Sequence, residues 1–231
     1  ADRNMLAAMG YVAPWIDTVM EMNVDPAWKT LNDYANSLSR KYKARFNKIM
    51  NSMSDVTVRP LTAQEMKAYE PRMEQLFIDV VEKQSFTLSR CGASLLTAMK
   101  DICGTDFDVF GYFLNGELVG FCSGIISPAA YEVWYVGFSS EVNTRYPLYF
   151  HMLFQGLGRA IELGLPLLKL GRTSFDAKAS LGAHPVETGY TVRVRYVPDI
   201  AVNWVLRYLS ATSDNKWKQR SPLKAAAAIA E

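Results

Sequence analysis

The densest chemistry in the sequence is cationic. Arg40, Lys41, Lys43, Arg45 and Lys48 crowd one stretch, and on a helix Lys41, Arg45 and Lys48 share one face at i, i+4 and i+7. Such a face suits a phosphate-rich ligand such as tRNA, a nucleotide-linked precursor or CoA. It is equally the pattern of a solvated helix surface. Tyr42 and Phe46 interleave with these cations, but at core spacing rather than as a base-stacking platform. The formal net charge is only +2, so any anion site is local and the chain is no general binder of polyanions. Among groups that move protons, Glu132, Asp176 and Glu187 are candidate bases and Tyr190 a candidate acid, none at a diagnostic spacing. Arg172 follows a short apolar segment; sheet-borne ligand sites open at strand ends, so it is a candidate to hold a carboxylate or phosphate.

Metal and thiol chemistry have less support. His151 and His184 are too few for a histidine-based metal site, and no local signature marks a cysteine–histidine nucleophile. His151 falls inside a helical stretch beside Tyr149 and Met152 and reads as a packed residue. Cys91, Cys103 and Cys122 are odd in number and widely spaced, which argues against a disulfide framework and for a reducing, cytoplasmic setting. No apolar run reaches the roughly eighteen residues of a membrane span, and no signal-peptide pattern opens the chain. The first residue is not Met, which suggests a fragment of a longer protein.

The elements that must position these groups alternate in type. Trp15 to Val24 reads as a strand. Asp25-Pro26 reads as a helix start, opening one long basic helix over Pro26 to Met53 with apolar residues at helical spacing. Val56 to Leu61 is a short strand. Thr62 and Glu65 form a capping box for a helix to about Lys83, in which Pro71 marks a break or a second start. Ser89 to Ile102 is another helix. Phe107–Leu114 and Leu118–Ile126 flank Asn115-Gly116 as a hairpin, and Tyr131 to Phe138 is the next strand. Arg145 to Gly164 is a helix with Pro147 near its start. Leu167–Leu170 is a buried strand, Ser174–Leu181 a short helix, and Val186–Val197 a strand. Asp199 caps a last helix to about Leu209, and the tail after Ser213 is expected to fray. This order predicts an α/β fold, a mixed sheet with helices on its faces. The division expected is residues 1–54 as a strand plus long basic helix left from a preceding domain, 55–198 as the main domain, and 199–231 as a C-terminal helix and tail.

Several segments carry a family resemblance. The helix ending Ser37-Leu38-Ser39-Arg40-Lys41-Tyr42-Lys43-Ala44-Arg45, the hairpin Gly111 to Phe121, and Tyr135-Val136-Gly137-Phe138 followed by Tyr146-Pro147-Leu148-Tyr149 resemble the Fem-type aminoacyltransferase branch of the GNAT superfamily. Leu170-Gly171-Arg172-Thr173 through Lys178 to Leu181-Gly182-Ala183 is the most specific piece. The resemblance implies a GNAT acyltransferase fold, with the long N-terminal helix as an addition. It implies transfer of an acetyl or aminoacyl group to a small-molecule or peptide-like amine, from acyl-CoA or aminoacyl-tRNA as co-substrate, with no tightly bound cofactor. It assigns Lys178, and with it Arg172, to the region that meets the donor, where an ammonium steadies a developing oxyanion. A donor pyrophosphate is expected at the start of the helix after the central strand, where free N–H groups and the helix dipole favour an anion; Ser140, Asn143, Thr144, Arg145 and Tyr146 lie there. Gln155-Gly156-Leu157-Gly158-Arg159-Ala160 fits the superfamily's Q-x-x-G-x-A loop, but it falls inside a helix whose N–H groups are already bonded, so its glycines read better as sites of close packing. A catalytically inactive scaffolding domain and an RNA-binding module stand as alternatives.

Overall fold

Thr30 and Asp33 decide where the first long helical stretch begins. The Thr30 hydroxyl accepts from the Asp33 N–H, and the Asp33 carboxylate accepts from the Thr30 N–H, the reciprocal capping box. The helix therefore starts at Leu31 and not at Pro26, and the Asp25 carboxylate instead caps a turn by accepting from the Ala27 N–H. In the computed structural model, which describes residues 3–82, 92–194, 197–198, 200–202, 204 and 218–224 (backbone only at 3–4, 7, 12–17 and 190), the elements run α1 (Arg3–Ala8), β1 (Val12–Asn23), α2 (Leu31–Ser37), α3 (Arg40–Ser52), β2 (Val56–Pro60), α4 (Ala63–Val81) and α5 (Ala93–Cys103). Then follow β3 (Phe107–Leu114), β4 (Glu117–Ile126), β5 (Ala130–Phe138), α6 (Ser140–Arg145), α7 (Leu148–Glu162), β6 (Leu167–Gly171), α8 (Phe175–Ala179) and β7 (His184–Val192).

Four expectations change. The single helix over 26–53 is two helices: Leu38 turns extended (φ −69, ψ 144), and the Ser39 N–H donates to the Pro222 carbonyl at 2.8 Å in place of a helical partner. Pro71 neither breaks nor restarts α4. The carbonyl it leaves unbonded belongs to Lys67, and both residues are exposed, so water can take that carbonyl. The helix expected from Arg145 begins at Leu148, just past Pro147, and a separate short helix, α6, precedes it. The tail expected to fray is anchored over 218–224, where Leu223 bridges Leu38. The start expected at Ser89 and most of the helix from Asp199 to Leu209 lie outside the described residues.

The strands form one seven-stranded sheet in the order β2-β3-β4-β5-β6-β1-β7. Every neighbouring pair is antiparallel except β5 and β6. α4 and α5 cover one face through Met66, Met73, Leu76 and Leu96 against Phe107, Val109 and Phe121. α7, α2 and α3 cover the other, where Leu153, Phe154 and Leu157 meet Tyr34, Phe46, Tyr131 and Leu168. β1 lies inside this sheet between β6 and β7, and Met20 and Met22 are buried in the α7-side core. Among the described residues no helix is long and apolar enough to cross a membrane.

β5 carries a bulge where it faces β4. Cys122 pairs with Val136 and Gly124 with Val133, so Trp134 and Tyr135 together oppose Ser123. An extra residue leaves a ladder position open and increases the local twist. Here the Ser123 hydroxyl fills that position, donating to the Tyr135 carbonyl at 3.0 Å and accepting from the Tyr135 N–H at 2.9 Å. Ser123 is buried, so water cannot replace it. Ser123→Ala is expected to cost about 1–3 kcal/mol in urea unfolding; an unchanged midpoint would show that the bulge holds without this hydroxyl.

Candidate functional site

The parallel pair opens into a cleft. β5 and β6 are joined only at Ala130–Leu167, Tyr131–Leu168 and Glu132–Lys169. β5 then continues through its bulge to Phe138, while β6 stops at Gly171. The diverging strands enclose a cavity of about 440 Å³. Phe77 and Val81 at the end of α4, Trp134, Tyr135 and Phe138 of β5, and Tyr149 and Leu153 of α7 form its walls; Glu132, Arg172, Ser174 and Lys178 supply charge and polarity. Opening at the carboxyl ends of parallel strands is where an α/β sheet usually holds a ligand.

Lys178 is the buried cation of this cleft, 3% exposed. Its ammonium donates to the Gly171 carbonyl at 3.2 Å and to the Arg172 carbonyl at 2.5 Å. The loop makes this possible by doubling back: Gly171, Thr173 and Ser174 have φ of 70, 67 and 51. Glycine adopts that conformation freely, but a β-branched threonine does so only under constraint. Phe175 and Ala179 supply it by burying one face of α8 in the core. Two carbonyls are poorer compensation for a buried charge than a carboxylate, and loss of hydration lowers the Lys178 pKa to about 7. Near neutral pH the amine is thus divided between an ammonium donor and a neutral base.

Of the sequence candidates, the structure brings Lys178, Arg172 and Glu132 into this one cavity. Tyr190 sits on β7, the outer strand, with β1 between it and β6; its side chain lies outside the described residues. Glu187 is on the same strand, opposite Thr18. Asp176 is engaged by Arg220 at 2.9 Å, and that bond, with a second from the Lys218 N–H, holds its pKa below the usual carboxylate value; it is no free base. His151 is buried, its Nδ1 lies 3.1 Å from the Tyr112 hydroxyl, and burial lowers its pKa to about 4.

The expected pyrophosphate residues do not line the cavity. Ser140, Asn143, Thr144 and Arg145 form α6. The Asn143 side chain accepts from the Tyr149 N–H at 3.0 Å and so occupies one of the first N–H groups of α7. Tyr146 is buried and donates to Asp55 at 3.1 Å, a packing role. Within α7, a Cβ on Gly156 would come 2.5 Å from Val133, so this glycine permits close helix-to-sheet contact. Lys41, Arg45 and Lys48 all lie exposed on α3. Arg45 stacks over Phe150 at 4.4 Å, and Phe150 adjoins the cleft residue Tyr149, which brings the basic helix to the start of α7.

Sequence reasoning quoted Tyr135, Phe138 and Tyr149 within the resemblance but assigned none of them to a cleft wall. Tyr149 packs on Phe138 and shares a side-chain hydrogen bond with Ser174; burial raises its pKa and that bond partly offsets the rise. Its spacing in the sequence is that of a core residue, so no local signal distinguishes it. Lys178 makes its own prediction. Between about pH 7 and the unfolded value of 10.5, the unfolded chain holds a proton on Lys178 that the folded chain has lost. Stability from this group therefore rises with pH through that window, and below about 7 the full cost of a buried ammonium remains. Relative to Lys178→Met, the native chain is expected to gain stability from pH 7 to 10 in denaturant titrations; parallel curves would contradict the burial argument.

No family model matches the sequence, and no curated protein matches it. Solved structures match in fold. FemX superposes with a TM-score of 0.60 at 12% identity, over 88% of this chain and 70% of FemX. The C-terminal domain (DUF2156) of a putative lysylphosphatidylglycerol synthetase from Agrobacterium fabrum gives 0.54 at 12% identity, over 91% of this chain and 68% of that one. L-PGS from Bacillus licheniformis gives 0.52 at 15% identity, over 90% and 70%. The chain spans about two thirds of the length of these structures. At such identities the likeness is one of fold: the chain has the mixed α/β fold seen in FemX and in L-PGS.

Proposed function

We propose that this chain is an N-acyltransferase that passes an acyl group, acetyl or aminoacyl, to an amine acceptor by direct attack in the cleft between β5 and β6. The observation that carries the reading is the Lys178 amine, fixed on two carbonyls beside an open strand edge. An extended donor arm can lie along β5 beyond Glu132, where the ladder to β6 has ended. The acceptor nitrogen attacks the donor carbonyl, and negative charge develops on its oxygen. Protonated Lys178 donates to that oxygen in a site partly screened from water, where such a bond is strongest. Glu132 takes the proton from the attacking amine, directly or through water. The acyl carbon then releases a thiolate, or a ribose oxygen that takes up the proton held by Glu132, so the amide forms, the donor bond breaks and no covalent enzyme intermediate is made. Arg172 holds a carboxylate or phosphate of the substrates.

The donor is acyl-CoA or aminoacyl-tRNA. The resemblance to the Fem-type branch supports the second, as does the basic face of α3 at the start of α7; Ser140, Thr144 and Arg145 on α6 would meet the first. A cytoplasmic location fits either donor. Thermal stabilisation by CoA and acetyl-CoA alone would establish a thioester donor. Stabilisation by deacylated tRNA alone, falling with salt and weakened in Lys41→Ala and Arg45→Ala, would establish the tRNA donor. With the donor known, Lys178→Ala is expected to lower kcat by roughly 10²–10³-fold. Full transfer by that variant would overturn the assignment, and no stabilisation by any donor would favour a scaffolding domain.

A further inference from the structure

We propose that residues 218–224 form a strap that positions α8, and with it Lys178, through the pair Arg220–Asp176. The inference rests on the reading of Lys178 as the working amine of the cleft and names the device that holds it there.

α8 needs such a device. It has five residues, and its N-cap Ser174 is left-handed with no side-chain cap bond. The loop before it carries two non-glycine residues at positive φ, a conformation that persists only where surrounding contacts over-determine it. The cradle of Lys178, the carbonyls of Gly171 and Arg172, belongs to this same loop. Core packing of Phe175 and Ala179 fixes one side of α8. Asp176 lies off that buried face and is half exposed.

The strap reaches that exposed side from a fixed base. Ser39 N–H donates to the Pro222 carbonyl at 2.8 Å, Lys224 N–H to Ser37 at 2.9 Å, and the Lys224 ammonium to the Asn36 carbonyl at 2.8 Å. Leu223 bridges Leu38, and a Cβ on Gly182, just past α8, would touch Pro222 at 3.5 Å. From this base Arg220 donates to Asp176 at 2.9 Å and also shares a hydrogen bond with Tyr42 of α3; the Lys218 N–H adds a second bond to Asp176. One guanidinium thus ties α8 to α3. A partly exposed ion pair adds little net stability, so the consequence of this one is geometric.

The test reads the ionisation of Lys178 directly, with no need for the donor. The charged and titratable groups around it are Glu132 on β5, Tyr149 on α7, Arg172 at the end of β6 and, on α8 and the strap, Asp176, Lys218 and Arg220. Acetylation of Lys178 by acetic anhydride is followed by peptide mass spectrometry across pH in the whole chain, with melting temperature as a check of folding. The native chain is expected to titrate near 7. Arg220→Ala and Asp176→Asn are each expected to move the midpoint up by at least one pH unit, as the freed α8 lets water reach the amine, and Arg220→Lys is expected to restore part of the shift. Asp176→Asn is decisive: it removes a negative charge near Lys178 while Arg220 stays, so a purely electrostatic effect would lower the midpoint. A fall, or no change in either variant, overturns the strap's role. A native midpoint near 10.5 sinks the cleft-amine reading itself and the strap's role with it.

Discussion

The structure turns on one parallel pair in an otherwise antiparallel sheet. An antiparallel ladder can run the full length of both strands, because a tight turn sets its register. A parallel pair is reached only through a crossover, here α6 and α7, and its ladder ends when the two strands differ in length or twist. β5 and β6 differ in both. β6 has five residues, and β5 has nine with a bulge in the middle. They part after three residue pairs, and the space between them is the cavity.

That opening has to be held on both sides. On the β4 side, the buried Ser123 hydroxyl satisfies the backbone of Tyr135 at the bulge, so the distortion does not cost two unpaired groups. On the β6 side, the chain leaves the sheet through three left-handed residues and returns as α8, which points the carbonyls of Gly171 and Arg172 at Lys178. The local strain there is offset by burial of Phe175 and Ala179, and the contact with the strap fixes the exposed part of α8. The segment before β2 belongs to the same arrangement. β1 fills the place beside β6, and α2 and α3 cover α7, with Tyr34 donating to the Leu181 carbonyl at the end of the α8 turn.

Electrostatics follows from this packing. The basic face of α3 is exposed and meets the start of α7 through Arg45 and Phe150, so it can guide an anionic ligand without being part of the buried site. Lys178 is the opposite case, an amine whose charge is costly where it lies. The two kinds of cation suit different tasks: long-range attraction for the exposed set, and short-range donation to a developing charge for the buried one.

Much of this was legible in the chain itself. The Asn115-Gly116 hairpin, the Thr62–Glu65 capping box and the order of strands and helices follow from local propensity and period, which act within a few residues. The segment from Leu170 to Ala183 pointed to Lys178 and Arg172 through resemblance alone. Local signals failed where distant residues supplied the partner. Nothing near Ser39 announces that its N–H will bond to Pro222, so the helix break was hidden. Asp176 reads as a free base until Arg220 arrives from far along the chain. Of the residues expected at an anion site, Asn143 is engaged by the Tyr149 N–H and Tyr146 by Asp55, partners that no local pattern announces. Period and local propensity thus determined the fold class, and the resemblance carried by one segment named the candidate amine. Tertiary structure alone decided which groups share a cavity and in what protonation state, because burial and hydrogen-bond partners are properties of what packs around a residue rather than of its neighbours in sequence.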